Sequence, residues 1–178
     1  MRGTHVLLSV GLAACAGGSS SASGTRPIST PVAGGGNLRV AGTDPSTVRT
    51  IAFAPDQVWR ALPAVFDSIG IPVANLDAPK RMIGNSAFKI RGRLKNVPLS
   101  RYIDCGTSTQ IGPNADSYEV NISLMAEVKP GAGGTTTLIT TFEAVARPAN
   151  FAQAYSQCGT KGILESRFGE LVNAQLKR

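Results

Sequence analysis

Residues 118–128 read YEVNISLMAEV, and apolar and polar side chains alternate along the whole stretch. The apolar set is Tyr118, Val120, Ile122, Leu124, Ala126 and Val128. Successive side chains of a β-strand point to opposite faces of a sheet, so this alternation predicts a strand with one buried face and one solvated face. We call this stretch the central strand.

Further strands are predicted on both sides of the central strand. Residues 138–147 are rich in Thr, Phe and Val, and residues 130–134 (PGAGG) predict a hairpin turn that leads into them. Residues 48–53 and 88–95 also have strand character, and residues 73–76 have it more weakly. The pattern therefore predicts an antiparallel meander of about four to five strands.

Two helices are predicted at the two ends of this meander. The first begins at Pro55, because proline suits the first turn of a helix, and ends at Gly70. Its apolar residues recur with a helical period, at Val58, Leu62, Val65, Phe66 and Ile69. The second begins near Thr160, a residue type that caps helices. Its apolar residues are Leu164, Phe168, Leu171, Val172 and Leu176.

These elements predict one α+β domain over residues 46–178. In the predicted architecture the antiparallel sheet packs against a long N-terminal-side helix and a C-terminal helix, since a sheet with one apolar face is stabilised by helices that cover it. About 130 residues is the usual size of one domain with its own core.

The first fifteen residues have the character of a secretory signal peptide. Arg2 gives a basic start, and residues 6–14 form an apolar run that is too short for a membrane span of roughly 20 residues. The run ends in Leu12-Ala13-Ala14-Cys15, which closely resembles the signal of bacterial lipoproteins. The resemblance implies that residues 1–14 are removed and that Cys15 carries acyl chains such as palmitate. The alternative is an ordinary cleavable signal in which Cys15 has no role.

The same resemblance implies an exported protein that is lipid-anchored to the cell envelope. Ala16 follows the cysteine, as in lipoproteins sorted to the outer membrane of two-membrane bacteria, so we expect the outer membrane, with the inner membrane as the alternative. Residues 15–45 are dominated by Gly, Ser, Ala, Pro and Thr. This composition predicts a lipidated flexible linker without fixed structure between the anchor and the domain.

Cys105 and Cys158 are the two remaining cysteines. An exported protein lies in an oxidising compartment, so we expect a disulfide between them. The bond would close a loop of about 54 residues and stabilise the domain by roughly 4 kcal/mol on the chain-entropy model. The alternative is a free thiol pair for metal or redox chemistry, but the spacing matches no ligand motif.

Histidine is absent once the signal peptide is removed, because His5 is the only one in the sequence. Ser-His-Asp and Cys-His catalysis, histidine-ligated zinc and histidine-held haem are therefore excluded. Glu119, Glu127 and Glu143 fall at outward-facing strand positions, where we expect solvation or pairing with cations of a neighbouring strand. We expect no enzyme activity, no metal and no cofactor; catalysis would need a cluster of carboxylates in a cleft.

The chain is basic, with a formal net charge of +7, and residues 80–101 contain cations but no acid. Within them Lys89, Arg91, Arg93 and Lys95 alternate, which places them on one face of the predicted strand at a spacing of about 6–7 Å. This pattern predicts a docking surface for an anionic lipid surface or an envelope protein partner. The alternative is a solvated face or an edge strand protected from aggregation by its charges. Nucleic acid is not expected, because no aromatic residues alternate with the cations.

Residues 55–62 (PDQVWRAL), with residues 70–73 (GIPV) after the helix and the meander behind it, resemble the repeated helix-grip-type domain of the BamC lipoprotein family. That family belongs to the machinery that assembles outer-membrane β-barrels, so the resemblance implies a helix-grip fold and a role in envelope or outer-membrane assembly. The chain departs from the family in having one such domain instead of two.

Two functions are consistent with these features. The first is a non-catalytic interaction module. The alternative is a carrier or sensor that binds a small apolar ligand in a helix-grip pocket. A filled core behind the sheet would argue against the carrier, and an apolar cavity lined by Phe53, Phe88 and Phe142 would favour it.

Overall fold

The computed structural model describes residues 26–32, 36–42, 45–150 and 152–178. The predicted signal peptide and the lipid attachment residue Cys15 lie outside the described residues. The strands are, in chain order, β1 (Arg26–Val32), β2 (Gly36–Gly42), β3 (Ser46–Ile51), β4 (Asn75–Asp77), β5 (Met82–Arg91), β6 (Arg93–Leu94), β7 (Val97–Pro98), β8 (Ile103–Asp104), β9 (Thr107–Ser108), β10 (Gly112–Pro113), β11 (Glu119–Pro130), β12 (Thr136–Arg147) and β13 (Ser156–Thr160). The helices are α1 (Pro55–Ile69), α2 (Asn114–Ser117) and α3 (Ile163–Leu176), with 3₁₀ turns at Leu99–Arg101 and Ala132–Gly134.

A seven-stranded antiparallel sheet organises the domain. Its strand order is β4-β5-β11-β12-β13-β8, and β3 pairs with the part of β12 that β13 leaves free. β11 contains most of the central strand and pairs with β12 over its whole length, from Glu119 opposite Arg147 to Pro130 opposite Thr136. The alternation read from the sequence is realised, because every second residue of β11 from Val120 to Val128 is buried.

Helices α1 and α3 pack on the buried face of this sheet and against each other. Between them the rings of Phe66 and Phe168 meet edge to face, with 5.1 Å between their centroids. The first helix matches its prediction in both position and buried stripe, and Gly70 ends it in the left-handed conformation with φ 79°. An aromatic pair of this geometry adds about 0.5–1.5 kcal/mol to the energy of its buried area.

The predicted helix-grip-like architecture is wrong. The main sheet has seven strands instead of four to five, and the two main helices have only 15 and 14 residues. At about 1.5 Å per helical residue and 3.4 Å per strand residue, α1 is roughly 22 Å long and β11 roughly 40 Å, so neither helix runs the length of the sheet. The structure is a predominantly antiparallel β fold in which short helices cover part of one face.

Two local predictions are also corrected. The strand expected over residues 88–95 ends at Arg91, because Gly92 has a φ of 73° that takes the chain out of the extended conformation. The last helix begins at Ile163 and not near Thr160, which is the final residue of β13.

Strands β1 and β2 lie within the stretch whose composition predicts a flexible linker. They pair antiparallel in a two-stranded sheet, with Arg26 opposite Gly42 and Val32 opposite Gly36, and they contact β13. The assignment of residues 15–45 to a linker stays a prediction. Among the described helices, none is both long and apolar enough to cross a membrane.

Candidate interaction surface

The face of the sheet opposite α1 and α3 carries its half-buried and exposed side chains, and we call it the open face. Along β11 and β12 these side chains occupy alternate positions and are mostly polar: Glu119, Asn121, Ser123, Met125 and Glu127 on β11, and Thr137, Ile139, Thr141, Glu143, Val145 and Arg147 on β12. The antiparallel register places them in rows that run across the strands. Side chains directly opposite in such rows have Cβ atoms about 4.5–5.5 Å apart.

Lys89 and Arg91 are exposed on β5 at the margin of the open face. Lys89 lies opposite Asn121 of β11, and Arg91 lies opposite Glu119. Within the described part of the chain, neither cation has a carboxylate within ion-pair distance. Both charges are therefore available to an anionic partner.

Arg93 and Lys95 do not continue this row. They follow the break at Gly92, where an added Cβ would lie 3.3 Å from the carbonyl oxygen of Asp116. A guanidinium nitrogen of Arg93 donates to the carbonyl of Asn96 at 3.0 Å, and the Lys95 side chain lies over Gly70 at the end of α1. Of the four cations predicted on one strand face, Lys89 and Arg91 lie on β5, Arg93 lies on β6 and Lys95 lies in the turn after β6, and all four are exposed.

Glu119 joins Arg147 and Tyr155 in an ion-pair cluster on the open face. The guanidinium of Arg147 donates from Nε to Glu119 Oε1 at 3.1 Å, and its Nη2 lies 2.9 Å from the same oxygen in an ion pair. The Tyr155 hydroxyl donates to the same oxygen, and the Arg147 guanidinium carbon lies 4.7 Å from the centre of the Tyr155 ring. The hydrogen bond from Tyr155 is the largest influence that lowers the pKa of Glu119, followed by those of Arg147 and the charge of Lys89. The same hydrogen bond raises the pKa of Tyr155.

The sequence predicted that Glu119 is solvated or pairs with the basic strand, but it pairs with Arg147 on the other side of β11. The sequence pattern does not distinguish Arg147 or Tyr155 as site residues. Arg147 ends a predicted strand, whereas Tyr155 lies in an irregular segment that carries no period. Nothing in the local sequence indicates that these two residues meet at Glu119.

A polar depression of about 160 Å³ lies on the open face beside Lys89. Its lining comes from four strands and consists of Ser86, Asn121, Ser123, Glu143, Ala144, Val145 and Gln157. In the part of the chain that the structure describes, the side chains of Asn121, Ser123, Glu143 and Gln157 make no hydrogen bond, and the Asn121 side-chain oxygen is shielded from solvent as well. Half-buried polar groups of this kind are usually satisfied by water or by a ligand.

Cys105 and Cys158 form the predicted disulfide, with Cα atoms 4.4 Å apart. Both residues are buried, and Cys158 lies on β13 next to the depression residue Gln157. The bond ties the segment after β8 to β13 and so fixes one wall of the open face. It is the one predicted site feature that the structure displays directly.

The aromatic residues named for a ligand pocket take part in core packing. Phe142 is 1% exposed within the main hydrophobic cluster, and Phe53 and Phe88 pack against the same cluster. A separate depression of about 500 Å³ lies at the β4 edge and is lined by Ala74, Asn75, Leu76, Asp77, Met82, Ser86 and Met125. None of the three phenylalanines lines that depression.

The titratable side chains do not form a metal-binding cluster in the described part of the chain. Over the described ranges, no three His, Cys, Asp or Glu residues are grouped closely enough to hold a metal ion. The predictions of no metal, no cofactor and no enzyme activity stay predictions.

Comparison with models of protein families finds no match to this chain, and comparison with curated proteins finds no significant relative. The resemblances to bacterial lipoproteins and to the BamC family therefore depend on the residues quoted for them.

Proposed function

We propose that the chain is a lipoprotein of the bacterial envelope, anchored through Cys15, whose domain is a non-catalytic interaction module in envelope or outer-membrane assembly. The observation that carries the proposal is the exposed, unpaired state of Lys89 and Arg91 at the margin of the open face. Cations in this state keep their full charge for an anionic partner, which would be an envelope protein or another acidic component.

The framework around these cations supports binding rather than catalysis. β5 is held by twelve-residue β11, and the Cys105–Cys158 bond holds β13 on the far side of the open face. A rigid surface loses little conformational entropy when it binds, so even a few charge-assisted contacts yield useful affinity. A carrier for apolar ligands receives no comparable support, because Phe142 is buried in the core.

The test is a cross-linked pull-down of the lipidated protein from its own envelope. The Lys89→Glu/Arg91→Glu variant should lose the captured partner, because two attractive charges become repulsive. The Lys177→Glu/Arg178→Glu variant is the matched control, since it changes the net charge equally at the exposed chain end. If wild type, the charge-reversal variant and the control capture the partner equally, the basic residues have no part in the proposed function.

The anchor is tested in the same system with a Cys15→Ser variant. Wild-type protein should incorporate labelled palmitate and partition with membranes, whereas the variant should do neither. Labelling that persists in the variant would refute lipid attachment at Cys15.

A further inference from the structure

We infer that the polar depression on the open face binds a saccharide that carries a carboxylate or phosphate group, with Lys89 and Arg91 holding the anion. This inference rests on the proposed function, because it names the ligand class that the interaction module would recognise. The juxtaposition behind it is a recessed hydrogen-bonding surface with one acid, Glu143, beside the unpaired cation Lys89, with Arg91 one row farther along β5.

The lining suits the hydroxyl groups of a sugar ring. Ser123 and Gln157 each present both donors and acceptors, Asn121 presents its amide N–H donors, and the Glu143 carboxylate presents acceptors only. A hydroxyl group is itself a donor and an acceptor, so a ring with several hydroxyls can satisfy groups of both kinds at once. These side chains have no protein partner in the described ranges, which leaves their hydrogen bonds for a ligand.

The charged residues around the depression predict the orientation of a bound ligand. Glu143 lies opposite Ser123, whereas Lys89 lies opposite Asn121, so the acid and the base are one row of outward residues apart, about 7 Å along β11. Arg91 is one row farther from Glu143 than Lys89 is. A bound ligand would therefore place its hydroxyl-rich part towards Glu143 and its anionic substituent towards Lys89 and Arg91.

The shape of the surface favours a small ligand over a lipid bilayer. A membrane plane reaches exposed side chains such as Lys89, but it does not reach recessed groups such as Asn121. A volume of about 160 Å³ is below the roughly 300–1,000 Å³ of sites for drug-sized ligands, which fits one sugar unit or the end of a longer glycan.

The test is calorimetric titration of the lipidated protein in a non-ionic detergent with two series of three matched probes. N-acetylmuramic acid carries a sugar ring and a carboxylate, N-acetylglucosamine carries the ring alone, and lactate carries the carboxylate alone. Glucose 1-phosphate, glucose and inorganic phosphate form the corresponding phosphate series. At least one anionic sugar should bind about tenfold more tightly than its neutral sugar and its free anion.

Variants then assign the binding to the depression. Lys89→Ala should weaken binding of the anionic sugar about tenfold and leave the neutral sugar unchanged, whereas Asn121→Leu should weaken both. Lys177→Ala and Thr137→Leu are the matched controls, one at the exposed chain end and one at the far end of the open face. If Asn121→Leu does not fold, Gln157→Leu takes its place.

Several outcomes would overturn the inference. They are no binding of any sugar, equal binding of the free anion, equal losses in the control variants, or binding only to phosphatidylglycerol vesicles. If no sugar binds but the pull-down still captures a partner that depends on the basic residues, the interaction module is retained and its partner is a protein or a lipid.

Discussion

Tyr155 donates a hydrogen bond to Glu119, although the two residues are 36 positions apart in the chain. Arg147 completes the contact, because its guanidinium binds the same carboxylate and lies against the Tyr155 ring. The segment that precedes β13 is thereby fixed to the start of β11 and the end of β12. Since Gln157 follows two residues later, this cluster also positions one wall of the polar depression.

The Glu119→Gln variant should be less stable than wild type at neutral pH and should lose this difference in acid. The pKa of Glu119 is lowered in the folded protein, so the carboxylate stabilises the fold above its ordinary pKa of about 4.3, and this contribution disappears as the pH falls through the lowered pKa. Urea unfolding from pH 3 to pH 7 measures the effect.

Glu143→Gln is the control for this experiment. Glu143 is an exposed acid on the same face without an ion pair in the described residues. A pH-dependent difference of equal size in both variants would show that the cluster around Glu119 contributes nothing specific.

Replacing both cysteines, as Cys105→Ser/Cys158→Ser, should lower the free energy of unfolding by roughly 4 kcal/mol. The bond joins residues 53 positions apart, and its loss releases the conformational entropy of that loop in the unfolded chain. Guanidinium unfolding with and without a reductant measures the loss. The reductant should destabilise wild type and leave the double variant unchanged; an effect on the double variant would show that it acts elsewhere.

The parts of the fold that the sequence predicted are those encoded by local periodicity. The pairing of β11 with β12 and the buried stripe of α1 follow from repeats within a single element. β13 was missed because Ser156–Thr160 is a short segment with glycine and polar residues and no apolar alternation. β8 was missed because it has only two residues. Without these two strands, the sequence predicts a sheet of only four to five strands, which a long helix could cover.

The candidate site was predicted only in part, for the same reason. The basic residues are close together in the sequence, so their concentration could be predicted. The positive φ of Gly92 that ends β5 could not, because a glycine within an alternating pattern also fits a continuous strand. The polar depression draws side chains from four strands. Its residues become neighbours only through the register of the sheet, and no pattern within one strand indicates it.

Phe168→Ala should destabilise the domain by about 3–5 kcal/mol. The Phe168 side chain is fully buried between α3 and α1, where it meets Phe66, so truncation leaves a cavity that the short helices cannot close. Thermal and urea unfolding measure the loss, with the exposed Glu170→Ala as control. A loss below about 1 kcal/mol would mean that the helices are not held to the sheet through this contact.

Glu165→Gln should stabilise the protein, and the gain should grow as the pH rises. Glu165 is fully buried in the first turn of α3, and this burial is the main influence on its pKa, which it raises. The folded state therefore binds the proton more tightly than the unfolded state, so wild-type stability falls as the pH rises from about 4.3 through the raised pKa. Each unit by which the pKa is raised corresponds to about 1.4 kcal/mol, and an amide avoids this cost.

The measurement is the free energy of unfolding between pH 4 and pH 8 for wild type, Glu165→Gln and the exposed control Glu170→Gln. Only Glu165→Gln should flatten the pH dependence of this free energy, which separates the effect of burial from that of lost charge. A profile that Glu165→Gln leaves unchanged would show that the carboxyl group stays ionised in the core, held by partners that offset its burial.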